Sequence, residues 1–265
     1  MFTNKVVLVS GSGRGIGSTI ALHFASLGAD VVVNYFRNRI PADETAERIR
    51  QLGRKALVVK ANMGNLNDID LLFDAVEQEF HGLDVYIHNA ASGYNRPVME
   101  QRSKGWDWTM NINARSLLFA AQRVAPLMEL RGGGSIVTIS SPGAGRVLPD
   151  YVVVGASKAA IESITRYLAV ELSPKNIVVN AVSPGMVLTE ALQHFEMVRS
   201  DVHLAEKATR ITPAGRLVEP QDIANVVAFL CSPVASMIRG QIITVDGGAS
   251  LLAPGLEKSP GSSAI

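Results

Sequence analysis

Short runs of β-branched and other apolar residues alternate with amphipathic segments along almost the whole chain, and few folds accommodate that pattern. The runs cover residues 6–10, 31–34, 56–60, 85–88, 135–140, 177–181 and 242–245. Each is continuously apolar rather than alternating, as expected of strands covered on both faces of a parallel sheet. Helical patterns lie between them, for example over 16–27, 42–52, 66–80 and 221–230. Strand–helix alternation of this kind predicts an α/β, right-handed, doubly wound parallel sheet. No shift in composition and no internal repeat marks a second domain, so residues 1–252 are read as one unit. The remainder, 253–265, carries Pro254, Gly255, Pro260, Gly261, Ser262 and Ser263 and is expected to be a flexible tail.

A chain of 265 residues, 47% hydrophobic, can bury a sizeable single core. Its net charge of +1 comes from interspersed acids and bases, which argues against a nucleic-acid surface or an anionic-membrane anchor. The one cysteine, Cys231, excludes an internal disulfide, and its setting after Phe229 and Leu230 predicts burial rather than a catalytic thiol. No apolar run is long enough to span a bilayer and no secretory signal is visible at residues 1–5, so a cytoplasmic location is expected.

The first strand runs into Ser10-Gly11-Ser12-Gly13-Arg14-Gly15-Ile16-Gly17. Glycines between a strand and a helix let backbone amides and a helix N-terminus approach a pyrophosphate, so this turn is read as a dinucleotide site. The spacing is not G-x-G-x-x-G, because Ile16 and Ser18 stand where its last glycine would fall. An NAD site usually ends its second strand in an acid that grips the ribose 2′-hydroxyl. Here Asn34-Tyr35-Phe36-Arg37-Asn38-Arg39 holds no carboxylate, and Asp30 lies at the strand's far end. Arg14 and Arg37 are placed for a 2′-phosphate, which a guanidinium fork suits, and NADPH is the expected cofactor. The alternative is that both are ordinary surface arginines.

A second constellation lies past the middle of the chain: Ser140-Ser141-Pro142-Gly143, then Tyr151, then Gly155-Ala156-Ser157-Lys158. It resembles the catalytic segment of the short-chain dehydrogenase/reductase family, whose usual signature is Tyr-x-x-x-Lys. The usual tyrosine position holds Val154, which cannot donate a proton, and Tyr151 precedes the lysine by six intervening residues. That spacing resembles the enoyl-acyl-carrier-protein reductases. In an enoyl thioester the hydride goes to the β-carbon while charge collects on the thioester oxygen two carbons away, so the proton donor must stand further out. Seven helical positions turn about 700° and rise about 10.5 Å, against about 400° and 6 Å for four. Tyr151 would therefore face the substrate but lie further from the lysine.

Further segments are similar to the same family. Gly11, Gly15 and Gly17 match its Gly-x-x-x-Gly-x-Gly. Asn62-Met63 follows the third strand, where the family contacts adenine. Asn89-Ala90-Ala91 resembles Asn-Ala-Gly, and Pro184-Gly185-Met186-Val187-Leu188-Thr189 resembles the segment that holds the carboxamide and phosphates. The stretches Ala90-Ala91-Ser92-Gly93, Arg96-Pro97-Val98-Met99-Glu100 and Trp106-Asp107-Trp108-Thr109-Met110-Asn111 look closest to the NADPH-using enoyl-acyl-carrier-protein reductase III branch.

The resemblance implies a Rossmann-like sheet of about seven strands in the order 3-2-1-4-5-6-7. It implies cofactor contacts from Gly11, Ser12, Gly13, Arg14, Gly15, Ile16, Gly17, Arg37, Asn62, Met63, Asn89, Ala90, Lys158, Pro184, Gly185, Val187 and Thr189. Tyr151 and Lys158 would be catalytic. Ser141 maps onto the family's serine, although a second tyrosine tends to stand there in enoyl reductases, which leaves its role open. Asn113 matches the asparagine that supports a water or the lysine through its backbone; a structural role is equally compatible. The two tryptophans are read as helix-packing or subunit-contact residues. Residues 189–212 would form a lid over the acyl chain, with His194 and His203 as lid residues rather than metal ligands.

The expected activity is NADPH-dependent reduction of the trans-2 double bond of an enoyl thioester on acyl-carrier protein or coenzyme A, by a homotetramer. A ketone or alcohol oxidoreductase using Tyr151 despite its offset is the alternative enzyme. A nucleotide-binding scaffold without catalysis, disabled by Val154, is the alternative outside enzymology.

Overall fold

In a strand, successive side chains point to opposite faces, so an unbroken apolar run needs cover on both sides. The computed structural model, which describes residues 1–187 and 203–252, provides that cover. Seven strands, β1 (Val6–Val9), β2 (Asp30–Tyr35), β3 (Ala56–Lys60), β4 (Val85–His88), β5 (Gly134–Ile139), β6 (Ile177–Pro184) and β7 (Ile242–Val245), form one sheet. Their order is β3-β2-β1-β4-β5-β6-β7, the expected one, and every pairing is parallel. Eight helices are described: α1 (Gly15–Ser26), α2 (Ile40–Gln51), α3 (Leu66–Phe80), α4 (Ser103–Met110), α5 (Ser116–Glu129), α6 (Val152–Glu171), α7 (Leu204–Ile211) and α8 (Pro220–Leu230).

Alternate residues of each strand feed two cores. Val7, Val9, Val31, Val33 and Ile87 pack with Ile20 and Phe24 of α1, Ile49 of α2 and Val227 of α8. Leu8, Val32, Tyr86 and Ile136 pack on the other face with Leu72 and Phe73 of α3, Leu117 of α5 and Ile161 of α6. Each such side chain, taken fully out of water, contributes about 1.5–3 kcal/mol. β6 continues to Pro184, beyond the run ending at 181, because Ala181–Pro184 registers with Ile242–Val245 of β7. The polar Asn180 within it is satisfied: its Nδ2 donates to the Ile238 carbonyl at 2.6 Å and its Oδ1 accepts from Gln241 N at 2.9 Å.

The strand order reverses direction between β1 and β4, and at such a switch point the carboxyl ends of the strands open a crevice. α4 and α5 are joined by a single π-type turn over Asn111–Arg115, a local widening common at functional sites. Of the expected lid, residues 188–202, with Thr189 and His194, lie outside the described residues, as does the tail 253–265. The lid's far end forms α7, next to which Thr212 is buried with its hydroxyl donating to Ala208 O at 2.7 Å. Among the described residues no helix is long and apolar enough to cross a membrane.

Candidate active site

A cleft of about 860 Å³ lies at the carboxyl ends of the strands, running from the glycine turn past β4 to α6. The turn at its floor is held by side chains rather than by glycine alone. Gly11 has φ +65°, and its N–H donates to the Oδ1 of Asn34 at 3.0 Å. Asn34, buried at the end of β2, also donates to Ala61 O at 3.1 Å, tying β1, β2 and β3 together. From the other side Asn89 Nδ2 donates to Ser10 O at 2.9 Å and Gly11 O at 3.1 Å. A Cβ on Gly17 would stand 2.5 Å from both Asn89 Nδ2 and Gly11 O, so only glycine lets α1 come this close to the turn. The result is a cradle of backbone at a helix N-terminus, which fits the pyrophosphate of a dinucleotide.

Most of the expected cofactor residues line the cleft: Gly11, Gly13, Arg14, Gly15, Ile16, Gly17, Arg37, Asn62, Met63, Asn89, Ala90, Lys158, Pro184, Gly185 and Val187. Ser12 does not. Its hydroxyl turns inward, donating to Val9 O at 2.7 Å and accepting from Asn34 N at 3.1 Å, so its side chain braces the turn instead of meeting a ligand. Asp30 sits at the opposite end of β2 from the cleft, ion-paired with Arg54 at 2.8 Å. The cleft end of β2 offers Arg37 and no carboxylate, a donor set that fits a 2′-phosphate.

At the other end of the cleft, Tyr151 is the residue before the first turn of α6, with φ −105° and ψ 10°. It therefore stands just outside the helix, one residue before its start. Its hydroxyl lies 3.4 Å from Ser141 Oγ. Burial pushes the phenol above its usual range, opposed by the Ser141 contact. The ring rests on Gly143, where a Cβ would come within 2.6 Å of Tyr151 Cδ1 and Cε1. Val154, one turn on, is buried, and a Cβ on Gly93 would come within 2.2 Å of its Cγ2. Lys158 is buried with Nζ donating to Ile139 O at 2.7 Å. Desolvation pulls the ammonium down to about 8.

Asn113 lies in the π turn, fully buried and behind the cleft wall rather than on it. Its Oδ1 accepts from Ser92 N at 2.8 Å, and its Nδ2 donates to Ser92 O and Ser157 Oγ, both at 2.9 Å. Its carbonyl oxygen lies 2.8 Å from His88 Nε2. A carbonyl only accepts, so Nε2 carries the proton. The neutral ring then accepts at Nδ1 from the Tyr86 hydroxyl, 2.9 Å away. Burial, with the Lys158 charge acting in the same direction, drives His88 down to about 4 and keeps it neutral. The backbone oxygen expected to meet a water or the lysine is thus bonded to a histidine.

Sequence reasoning passed over His88, Asn34, Ser92 and Ser157. The signal for the first two was present: each is a polar residue closing an otherwise apolar strand at its cleft end. His203 contacts Glu206 at 3.3 Å, and the described residues hold no group of three or more His, Cys, Asp or Glu placed to take a metal. Cys231 is buried, which pushes its thiol far above the range of a reactive group.

The family model described as enoyl-(acyl carrier protein) reductase matches residues 11–250. The chain is 37% identical to a 1-cyclohexenylcarbonyl-CoA reductase of Streptomyces collinus, over 94% of this chain and 88% of that protein. It is also 37% identical to the hydroxynaphthalene reductase-like protein Arp2 of Metarhizium robertsii, covering 93% and 95% respectively. A 7α-hydroxysteroid dehydrogenase solved with NADH and 7-oxo glycochenodeoxycholic acid superposes with a TM-score of 0.87 at 36% identity, covering 93% of this chain and 94% of that one. The chain belongs to the short-chain dehydrogenase/reductase family and is an oxidoreductase.

Proposed function

We propose that the protein reduces the trans-2 double bond of an enoyl thioester, carried on acyl-carrier protein or coenzyme A, with NADPH. One observation carries this reading. Tyr151, which lines the cleft beside Lys158 and Ser141, stands just before the first turn of α6, while the position one turn before Lys158 holds a valine. A proton donor displaced outward suits a substrate whose oxygen is separated from the hydride-accepting carbon. The family description and the CoA-thioester reductase among the relatives support the same class.

When bound, the reduced nicotinamide supplies the hydride for the β-carbon. The chain's own residues manage charge and proton. Burial keeps Tyr151 protonated and available as a donor at neutral pH. The substrate gains one proton at its enolate, and the phenol recovers one from solvent. The Lys158 ammonium, anchored to Ile139 O, favours the phenolate that forms and would also bind ribose hydroxyls. Ser141 Oγ would orient the phenol or share the substrate oxygen. Arg14 and Arg37 would take the 2′-phosphate, and the Gly11–Gly17 cradle the pyrophosphate. We further propose a homotetramer, located in the cytoplasm.

The Ser141–Tyr151 pair also favours a second reading, carbonyl reduction, since hydroxyl partners of this kind serve a substrate whose oxygen is on the reacting carbon. Comparing wild type with Tyr151→Phe, by NADPH consumption on a short trans-2-enoyl thioester and on a ketone, separates the two. The enoyl reading expects thioester turnover that falls by about 10²–10⁴-fold in the variant, the range of general acid catalysis. Ketone turnover without thioester turnover would favour the second reading, and unchanged rates in Tyr151→Phe would remove the phenol from the mechanism.

A further inference from the structure

Trp108, on α4, reaches across the cleft to the loop after β2. The Arg37 guanidinium carbon lies 5.7 Å from the Trp108 ring centroid and 5.9 Å from that of Phe36. The two rings are themselves 6.5 Å apart, inclined at 45°. The indole is pinned on its other side, where Nε1 donates to Ser92 Oγ at 2.9 Å. Phe36, Arg37, Ser92 and Trp108 all line the cleft. Two elements distant in sequence are thus joined by a cation held against aromatic rings.

A guanidinium has a flat face and an edge of N–H donors. Aromatic rings engage the face, and a phosphate engages the edge, so the two contacts do not compete. An arginine confined beside two rings has fewer rotamers to search, and binding loses less freedom for that reason.

We propose that Trp108 is a positioning residue that sets cofactor preference: together with Phe36 it holds the Arg37 guanidinium ready for the 2′-phosphate of the dinucleotide. Its bond to Ser92 links that grip to the loop that follows β4, beside Asn113. The inference rests on the NADPH reading above. It assigns to the indole a duty that helix packing alone does not include.

The test uses two adenine nucleotides without a nicotinamide, 2′,5′-ADP and 5′-AMP, titrated calorimetrically into wild type, Trp108→Leu, Trp108→Phe, Arg37→Met and the Trp108→Leu/Arg37→Met double variant. Wild type is expected to bind 2′,5′-ADP more tightly than 5′-AMP. Trp108→Leu should lower affinity for 2′,5′-ADP by about two- to fivefold, the range of an exposed cation–π pair, and leave 5′-AMP unchanged. Trp108→Phe keeps a ring and should recover most of the loss. In the Arg37→Met background, Trp108→Leu should have no further effect, because the coupling needs both groups. An equal loss for both nucleotides, or a full Trp108→Leu effect without Arg37, overturns the proposal while leaving the NADPH reading intact. If wild type fails to distinguish the nucleotides, the NADPH reading falls and this inference falls with it. A Trp108→Leu protein that does not fold leaves the Trp108→Phe and Arg37→Met/Trp108→Phe pair to decide: any loss of 2′,5′-ADP affinity caused by Trp108→Phe must disappear when Arg37 is already gone, and a loss that persists without Arg37 overturns the proposal.

Discussion

Lys158 shows how one buried charge ties rate to stability in opposite senses. Desolvation holds its ammonium at about 8, below the ordinary value of 10.5. As pH rises through about 8 the positive charge disappears from the free protein. The value of kcat/KM for the nucleotide should fall over that interval, since that parameter reports groups of the free enzyme. Stability moves the other way. Between about 8 and 10.5 the unfolded chain binds the proton and the folded chain does not, so this group's contribution to stability rises with pH there. Thermal melts of wild type and Lys158→Met across pH 7–10 check this: the wild type should gain on the variant as pH rises. Histidine 88 obeys the same rule at lower pH, where its folded value of about 4 lies below 6.5. The presence of Tyr151, Lys158 and Ser141 around one cleft was legible because residue type and spacing survive in the sequence. The partner of the Asn113 carbonyl was not, since it depends on how a strand end meets a turn elsewhere in the chain.

Elements decide where the phenol stands. The segment between β5 and α6 forms a tight turn at Pro142–Ala144, and the Tyr151 ring packs against Gly143 through Cδ1 and Cε1. Gly143→Ala would bring a methyl within 2.6 Å of that ring. A contact that short forces the ring and the turn apart. The expected outcome is a large fall in kcat, at least tenfold, with little change in nucleotide affinity, read by steady-state kinetics beside direct binding of NADPH. Equal kinetics in the variant would mean that the phenol is not positioned by this turn. Strand existence followed from the apolar runs and their order from the family resemblance, while boundaries shifted by a few residues, most at Ala181–Pro184, where β7 extends the ladder. Tyr151 was expected on the helix and lies just before it, because Val152 is the first residue of α6. Nor does any periodicity announce the π turn at Asn111–Arg115, which depends on packing at the wall of the cleft. The two tryptophans, expected as helix-packing or subunit-contact residues, stand two positions apart and so about 200° apart around α4, which puts Trp108 at the cleft and Trp106 away from it.

At the scale of the whole molecule, the outer side of α6 leaves Tyr167 68% and Val170 74% exposed, one turn apart on one face. Leu118 of α5 and Trp106 of α4 are also exposed. A tetramer that covers these helices would account for so much apolar surface. Light scattering on the purified protein should give the mass of four subunits, and Tyr167→Glu/Val170→Glu should reduce it; a monomeric wild type would remove the assembly from the proposal.

The asparagine clamps on the glycine turn have a kinetic consequence. With Asn34 and Asn89 already fastening Ser10 and Gly11 from both sides, the floor of the cleft is shaped when the chain folds, not when a nucleotide arrives. Capture of the dinucleotide then resembles docking onto a finished ledge. Its speed should be governed by diffusion and by the arginines at the rim, with no slow reorganisation of the ledge itself.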